Sequence, residues 1–185
     1  IVSRDWSSDV CSSDLSPDAL LAELKVRLEQ NPTDREGWAI LANAVMSLGD
    51  YTQAVNAYEK LYALTGDDAE VLVGYADALA MREGGTLNDR VITLLDRALK
   101  IDPEQPQALW LAGMAAEARG NLPGALEHWH RLKPALHADP QAQSKLQALI
   151  DRVTELAVSR GLEVADHPQT VQRLNQPAAP VTLTV

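Results

Sequence analysis

The sequence predicts an all-α protein: a superhelical array of about three helix-turn-helix repeats with a flanking N-terminal helix and a C-terminal capping helix. Three observations carry this. The skeleton Trp38-Ala39-Ile40-Leu41-Ala42, followed by Gly49, Ala54 and Tyr58, returns about 71 residues later as Leu109 to Gly113 followed by Gly120, Ala125 and Trp129, with a weaker copy between them. Helix-ending sequences recur at matching places, Asn31-Pro32-Thr33-Asp34, Ile101-Asp102-Pro103 and Lys133-Pro134, because proline cannot donate to the preceding turn and clashes with it. Finally, 46% of residues are hydrophobic, Ala and Leu dominate, and Phe is absent, as helix-on-helix packing favours.

The elements follow in order. Ser16-Pro17-Asp18 starts a helix with a capping hydroxyl and a first-turn proline, and Leu20, Leu21, Leu24 and Leu28 form its apolar stripe. Residues 17–34 are a half-repeat or an N-terminal cap. The first full repeat spans Arg35 to Asp68, with Trp38, Leu41, Ala42 and Val45 inward on its first helix and Ala54, Tyr58 and Leu61 on its second. It closes at Thr65-Gly66-Asp67-Asp68 without the usual proline, which loosens that junction. The second repeat spans Ala69 to Gln105, with Leu72, Tyr75, Ala76 and Leu79 facing Val91, Leu95, Ala98 and Leu99. Its turn, Arg82 to Leu87, is about three residues longer than the standard one. The third repeat starts at Pro106 and packs Leu109, Ala112, Gly113 and Ala116 against Ala125, Trp129 and Leu132. A helix from about Pro140 to Arg160 then carries Leu146, Leu149, Ile150, Val153, Leu156 and Ala157 on one face and Lys145, Asp151, Arg152 and Glu155 on the other, as a solvating cap requires. Units of about 34 residues that bury their apolar faces only against their neighbours are tetratricopeptide (TPR) repeats.

Both ends depart from this pattern. Residues 1–15 match no repeat, and from about Arg4 to Leu15 they resemble the in-frame translation of a sequencing adapter, the other reading being a disordered N-terminus. The lone cysteine, Cys11, lies there and says nothing of redox compartment. Residues 161–185 read as a linker and the start of a truncated C-terminal domain, whose alternating Val181 to Val185 is a first strand or else an unstructured tail. The repeat domain is thus residues 16–160.

A net charge of −10 and a pI near 4.8 argue against a nucleic-acid partner, since no basic stripe exists to neutralise phosphates. A cationic peptide is the natural complement. No phosphate loop, nucleophile elbow or paired-cysteine motif occurs, so no catalytic residue, metal site, cofactor or small-molecule substrate is expected. His128 and His130 flank Trp129, but two residues apart on a helix they point about 160° from each other. They read as polar residues on the helix surface, with a metal or haem pair as the competing assignment.

Function is expected in the groove of the array, on the first helix of each repeat. The expected lining is Glu36, Ala39, Asn43 and Met46; then Glu70, Val73, Asp77 and Ala80; then Gln107, Trp110, Met114 and Glu117. Met and Trp suit an amphipathic helix, and the acidic residues suit one bearing Lys or Arg. Alternatively, Trp110 and Met114 pack on the neighbouring repeat.

Several segments also resemble a particular family: Asn31-Pro-x-Asp-x-x-Gly37-Trp38-Ala-x-Leu41-Ala, the Gly84-Gly85 turn, Ala98-Leu99-x-Ile101-Asp-Pro103, Ala108-Leu109-Trp110-Leu111-Ala112-Gly113, and Gly120-Asn121-x-x-Gly124-Ala125-x-x-His128-Trp129-x-Arg131-Leu132. Over residues 17–160 they look like the TPR domain of the cytochrome c-type biogenesis proteins called CcmI or CycH. The resemblance implies a bacterial inner-membrane-anchored protein whose periplasmic TPR domain captures apocytochrome c, chiefly by its C-terminal helix, and presents it to the haem-ligation (haem lyase) complex of cytochrome c maturation. Other readings are a TPR subunit of a nitrite-reductase haem lyase and an envelope assembly scaffold.

Overall fold

A computed structural model describes residues 16–162 and 164. Among them run eight α-helices: α1 (Pro17–Gln30), α2 (Arg35–Ser47), α3 (Tyr51–Thr65), α4 (Ala69–Arg82), α5 (Asp89–Ile101), α6 (Pro106–Ala118), α7 (Leu122–Leu132) and α8 (Pro140–Ser159), with a 3-10 turn at Lys133–Leu136. The adapter-like segment and the alternating run at Val181 to Val185 lie outside the described residues.

Each helix start is fixed by a side chain. Ser16, Asp34, Asp50, Asp68, Asn88, Gln105, Asn121 and Asp139 each accept a hydrogen bond from a backbone N–H two or three residues on, which satisfies donors that a helix leaves unpaired at its first turn. Pro17, Pro106 and Pro140 occupy the first helical positions, where no N–H is needed. The turns of the first and third repeats match as well. Gly49 (φ 78°) and Gly120 (φ 76°) take a left-handed backbone. After them Asp50 N–H bonds back to Val45 and Asn121 N–H to Ala116, so each chain reverses into its second helix with the last carbonyls satisfied.

The chain divides into two compact units, one ending at Gly66 and the other beginning at Asp67. The boundary falls at the junction that lacks the usual proline. In the first unit α2 and α3 pack through Leu41, Ala42 and Val45 against Ala54, Val55, Tyr58 and Leu61, all buried. Ala42 and Ala54 are both fully buried. From α1 only Leu28 is fully inside; Leu21 and Leu24 are half-buried, and Leu20 is 52% exposed. The expected four-leucine stripe is therefore narrower in the structure and leaves out Leu20, because α1 is covered chiefly by α2. Trp38, expected to point inward, is half-buried instead, with its indole Nε1–H donating to the Pro32 carbonyl at 2.9 Å.

In the second unit α4 and α5 join Leu72, Ala76 and Leu79 to Val91, Leu95 and Ala98. One further core unites the last three helices: Leu109 of α6, Leu122, Leu126 and Trp129 of α7, and Leu146, Ile150 and Val153 of α8 are all buried in it. Burying a Leu or Ile side chain contributes roughly 1.5–3 kcal/mol, so α8 is part of the third repeat's stability as well as its cover.

Candidate peptide-binding faces

The expected groove residues fall on two faces, one in each unit. On α2, Glu36, Ala39, Asn43 and Met46 follow the three- and four-residue steps that place side chains on one side of a helix. Glu36 and Asn43 are exposed and Ala39 and Met46 half-buried. Asn43 is anchored from behind, where its Oδ1 accepts the Tyr58 hydroxyl proton at 2.8 Å. That leaves its amide group directed by the pair of helices.

The second face is built from α4 and α6. Glu70 and Gln107 are exposed, and Trp110 and Met114 expose 38% and 40% of their surface, unusual values for large apolar side chains one turn apart. Two other expected members do not reach this surface. Val73 and Ala80 are 1% and 3% exposed, because α4 is packed by α5 and by α6 at once; they support the face without lining it.

Two polar contacts tie the second face together. Gln107 Nε2 donates to Asp77 Oδ2 at 2.9 Å, joining α6 to α4. Burial pushes the Asp77 carboxyl above its ordinary range, opposed by the Gln107 hydrogen bond. At the far end Arg152 of α8 donates to Glu117 Oε1 at 2.8 Å. Glu117 was expected as a free acidic edge, and Arg152 as part of a solvated cap; the structure joins them. No local spacing in the sequence signals a pair 35 residues apart.

A third place was missed. A cavity of about 170 Å³ lies between α5, α6 and α7, with Ile92, Leu95, Ala112 and Ala115 as apolar walls and Asp96, Arg119 and His128 among its polar ones. Read from the sequence as a helix-surface residue, His128 is half-buried, and its Nδ1 is buried without a hydrogen-bond partner among the described residues. Desolvation holds the imidazole below its usual range, with Glu127 raising it and Arg131 lowering it to lesser degrees. It is therefore neutral near pH 7. No group of three or more His, Cys, Asp or Glu side chains that could hold a metal occurs among the described residues, and none of their helices is long and apolar enough to cross a membrane.

Helix pairs closed by small residues, with apolar and acidic side chains displayed on their first helices, define a TPR array. A solved structure titled "Crystal structure of MamA protein" has the same fold, with a TM-score of 0.59 and 18% identity over 89% of each chain. The match narrows further in sequence. The family described as "Cytochrome c-type biogenesis protein H TPR domain" matches residues 12–143, and the chain belongs to it. It is 32% identical over 171 residues to the cytochrome c-type biogenesis protein CycH of Pseudomonas aeruginosa, covering 92% of this chain and 40% of that one. It is also 27% identical over 121 residues to the formate-dependent nitrite reductase complex subunit NrfG of Escherichia coli O157:H7, covering 65% of this chain and 61% of that one. The chain thus spans 40% of the length of the first of these relatives and 61% of the second.

Proposed function

We propose that this chain is a peptide-holding module of cytochrome c maturation. It captures apocytochrome c by that protein's C-terminal helix and presents it to the haem-ligation complex, as the periplasmic part of an inner-membrane-anchored protein. Membership in a cytochrome c biogenesis family supports the pathway. The observation that carries the mode of action is the exposed Trp110–Met114 pair between acidic neighbours on the α4–α6 face. An amphipathic helix buries an apolar stripe on such a pair and sets its basic residues against the carboxylates. The work is holding and handing on, so no bond is made or broken by this chain.

The test is calorimetric titration of the full chain with a peptide of an apocytochrome c C-terminal helix. Saturable binding that Trp110→Ala and Met114→Ala each weaken about tenfold, with helicity intact, is the expected result. No binding by the folded wild-type chain overturns it. The similarity to a nitrite reductase complex subunit favours a second reading, a TPR subunit of a nitrite-reductase haem lyase, in which the same face holds a peptide of the nitrite reductase. A titration with that peptide in parallel separates the two by which one binds more tightly.

A further inference from the structure

In the second unit, three acidic side chains meet a partner one repeat later at the same separation of 30 residues. Asp67 is met by Arg97, Asp89 by Arg119, and Asp77 by Gln107. A further carboxylate, Glu117, is met by Arg152 of α8. Of these four, Asp77 is the one with a neutral partner. Its hydrogen bond from the Gln107 amide leaves the negative charge in place, and Asp77 Oδ1 accepts nothing from the described residues. Yet Asp77 is also the one of the three aspartates that is not exposed, and a carboxylate withdrawn from water is costly unless a cation meets it. Gln107 is its contact on α6, and one and two turns further along that helix stand Trp110 and Met114, the exposed apolar pair.

We propose that Asp77 is the seat for one basic side chain of the bound segment: a Lys or Arg placed one helical turn from a large apolar residue that packs on Trp110 and Met114. This rests on the reading that the α4–α6 face holds an amphipathic helix, and adds which residue of the face selects its ligand. An Arg or Lys entering beside Trp110 makes a charge-assisted hydrogen bond with Asp77 in a partly desolvated site, where such a bond is worth more than at an open rim. Burial of the carboxylate, which favours its protonated form in the free chain, is then offset by the ligand's charge. Gln107 holds the carboxylate's rotamer between α4 and α6 without neutralising it, so the seat is set before the ligand arrives.

The experiment titrates the full chain, Asp77→Asn, Gln107→Arg and Glu104→Gln with the apocytochrome c C-terminal helix peptide. The same four proteins are then titrated with peptides in which each Lys or Arg in turn is replaced by Gln. Loss of a charge-assisted hydrogen bond predicts that Asp77→Asn weakens binding about tenfold. Exactly one peptide substitution should weaken the wild type equally and have no further effect on Asp77→Asn. Gln107→Arg should also weaken binding, because its guanidinium takes the seat, whereas Glu104→Gln, an exposed carboxylate of the same unit away from the face, should change affinity by less than about twofold. Circular dichroism confirms that each variant is folded. Tight binding by wild type and Asp77→Asn alike, still lost in Trp110→Ala, overturns the seat while keeping the peptide face. Failure of every peptide to bind the wild type overturns both.

Discussion

Gly113 lies directly beneath Trp129: a methyl group added at Gly113 would meet the indole Cδ1 at 2.6 Å and Cε2 at 2.7 Å. Trp129 is fully buried there, with its Nε1 lacking a hydrogen-bond partner among the described residues. The equivalent positions are Ala42 and Tyr58 in the first repeat and Ala76 and Leu95 in the second, all buried. The largest of the three second-helix residues thus goes with the smallest residue at the first-helix position, as close packing between two helices demands.

Gly113→Ala is accordingly expected to destabilise the chain by roughly 1–3 kcal/mol, although Gly to Ala inside a helix ordinarily stabilises by about 1 kcal/mol. Adding Trp129→Tyr, which reproduces the pair of the first repeat, should recover part of the loss. Urea denaturation of the two single variants and the double variant measures the coupling, and simple additivity would show that the two side chains do not share the space.

Asp50 caps α3 by accepting the Gln53 N–H at 3.0 Å and also takes the Gln53 side-chain amide. These two bonds hold its carboxyl below the ordinary carboxylate range. Because the folded value is the lower one, the stabilisation is present at neutral pH and above the unfolded value, and is lost as pH falls through the folded value. Asp50→Ala should cost about 1 kcal/mol at pH near 7 and progressively less in acid, read as converging thermal midpoints of variant and wild type.

Asp77 behaves in the opposite sense. Its folded value is raised by burial, so protonation stabilises the fold: the contribution is fully present below the unfolded value and disappears as pH rises through the folded one. At neutral pH the carboxylate is a burden to the free chain, and Asp77→Asn should leave stability unchanged or raise it by up to about 1 kcal/mol. A thermal melt of the free chain that shows a large loss would mean that the Gln107 bond needs the charge.

Helix starts and stops were legible because their causes are local. A capping side chain, a first-turn proline and a turn glycine act within four residues, so Ser16-Pro17, Asn31 to Asp34, Gly49-Asp50 and Gly120-Asn121 state their own geometry. The repeat skeleton likewise placed Ala42 and Gly113 on the inward side of their helices, where both are buried. What periodicity could not give is how far each helix is covered. Val73 sits at a face position by spacing, yet a third helix closes over it. Leu20 belongs to an apolar stripe, yet about half of it is left exposed. The Glu117–Arg152 and Asp77–Gln107 bonds depend on the offset between elements 35 and 30 residues apart, and His128 depends on three helices leaving space between them.

Eight helix beginnings, each written into its own few residues, also bear on the order of events as the chain forms. Every turn can nucleate without waiting for a distant partner, and each pair closes across a short connection, where loop-closure entropy is small and search is brief. The chain can therefore take shape from its N-terminal side, one hairpin after another, while the remainder is still being made.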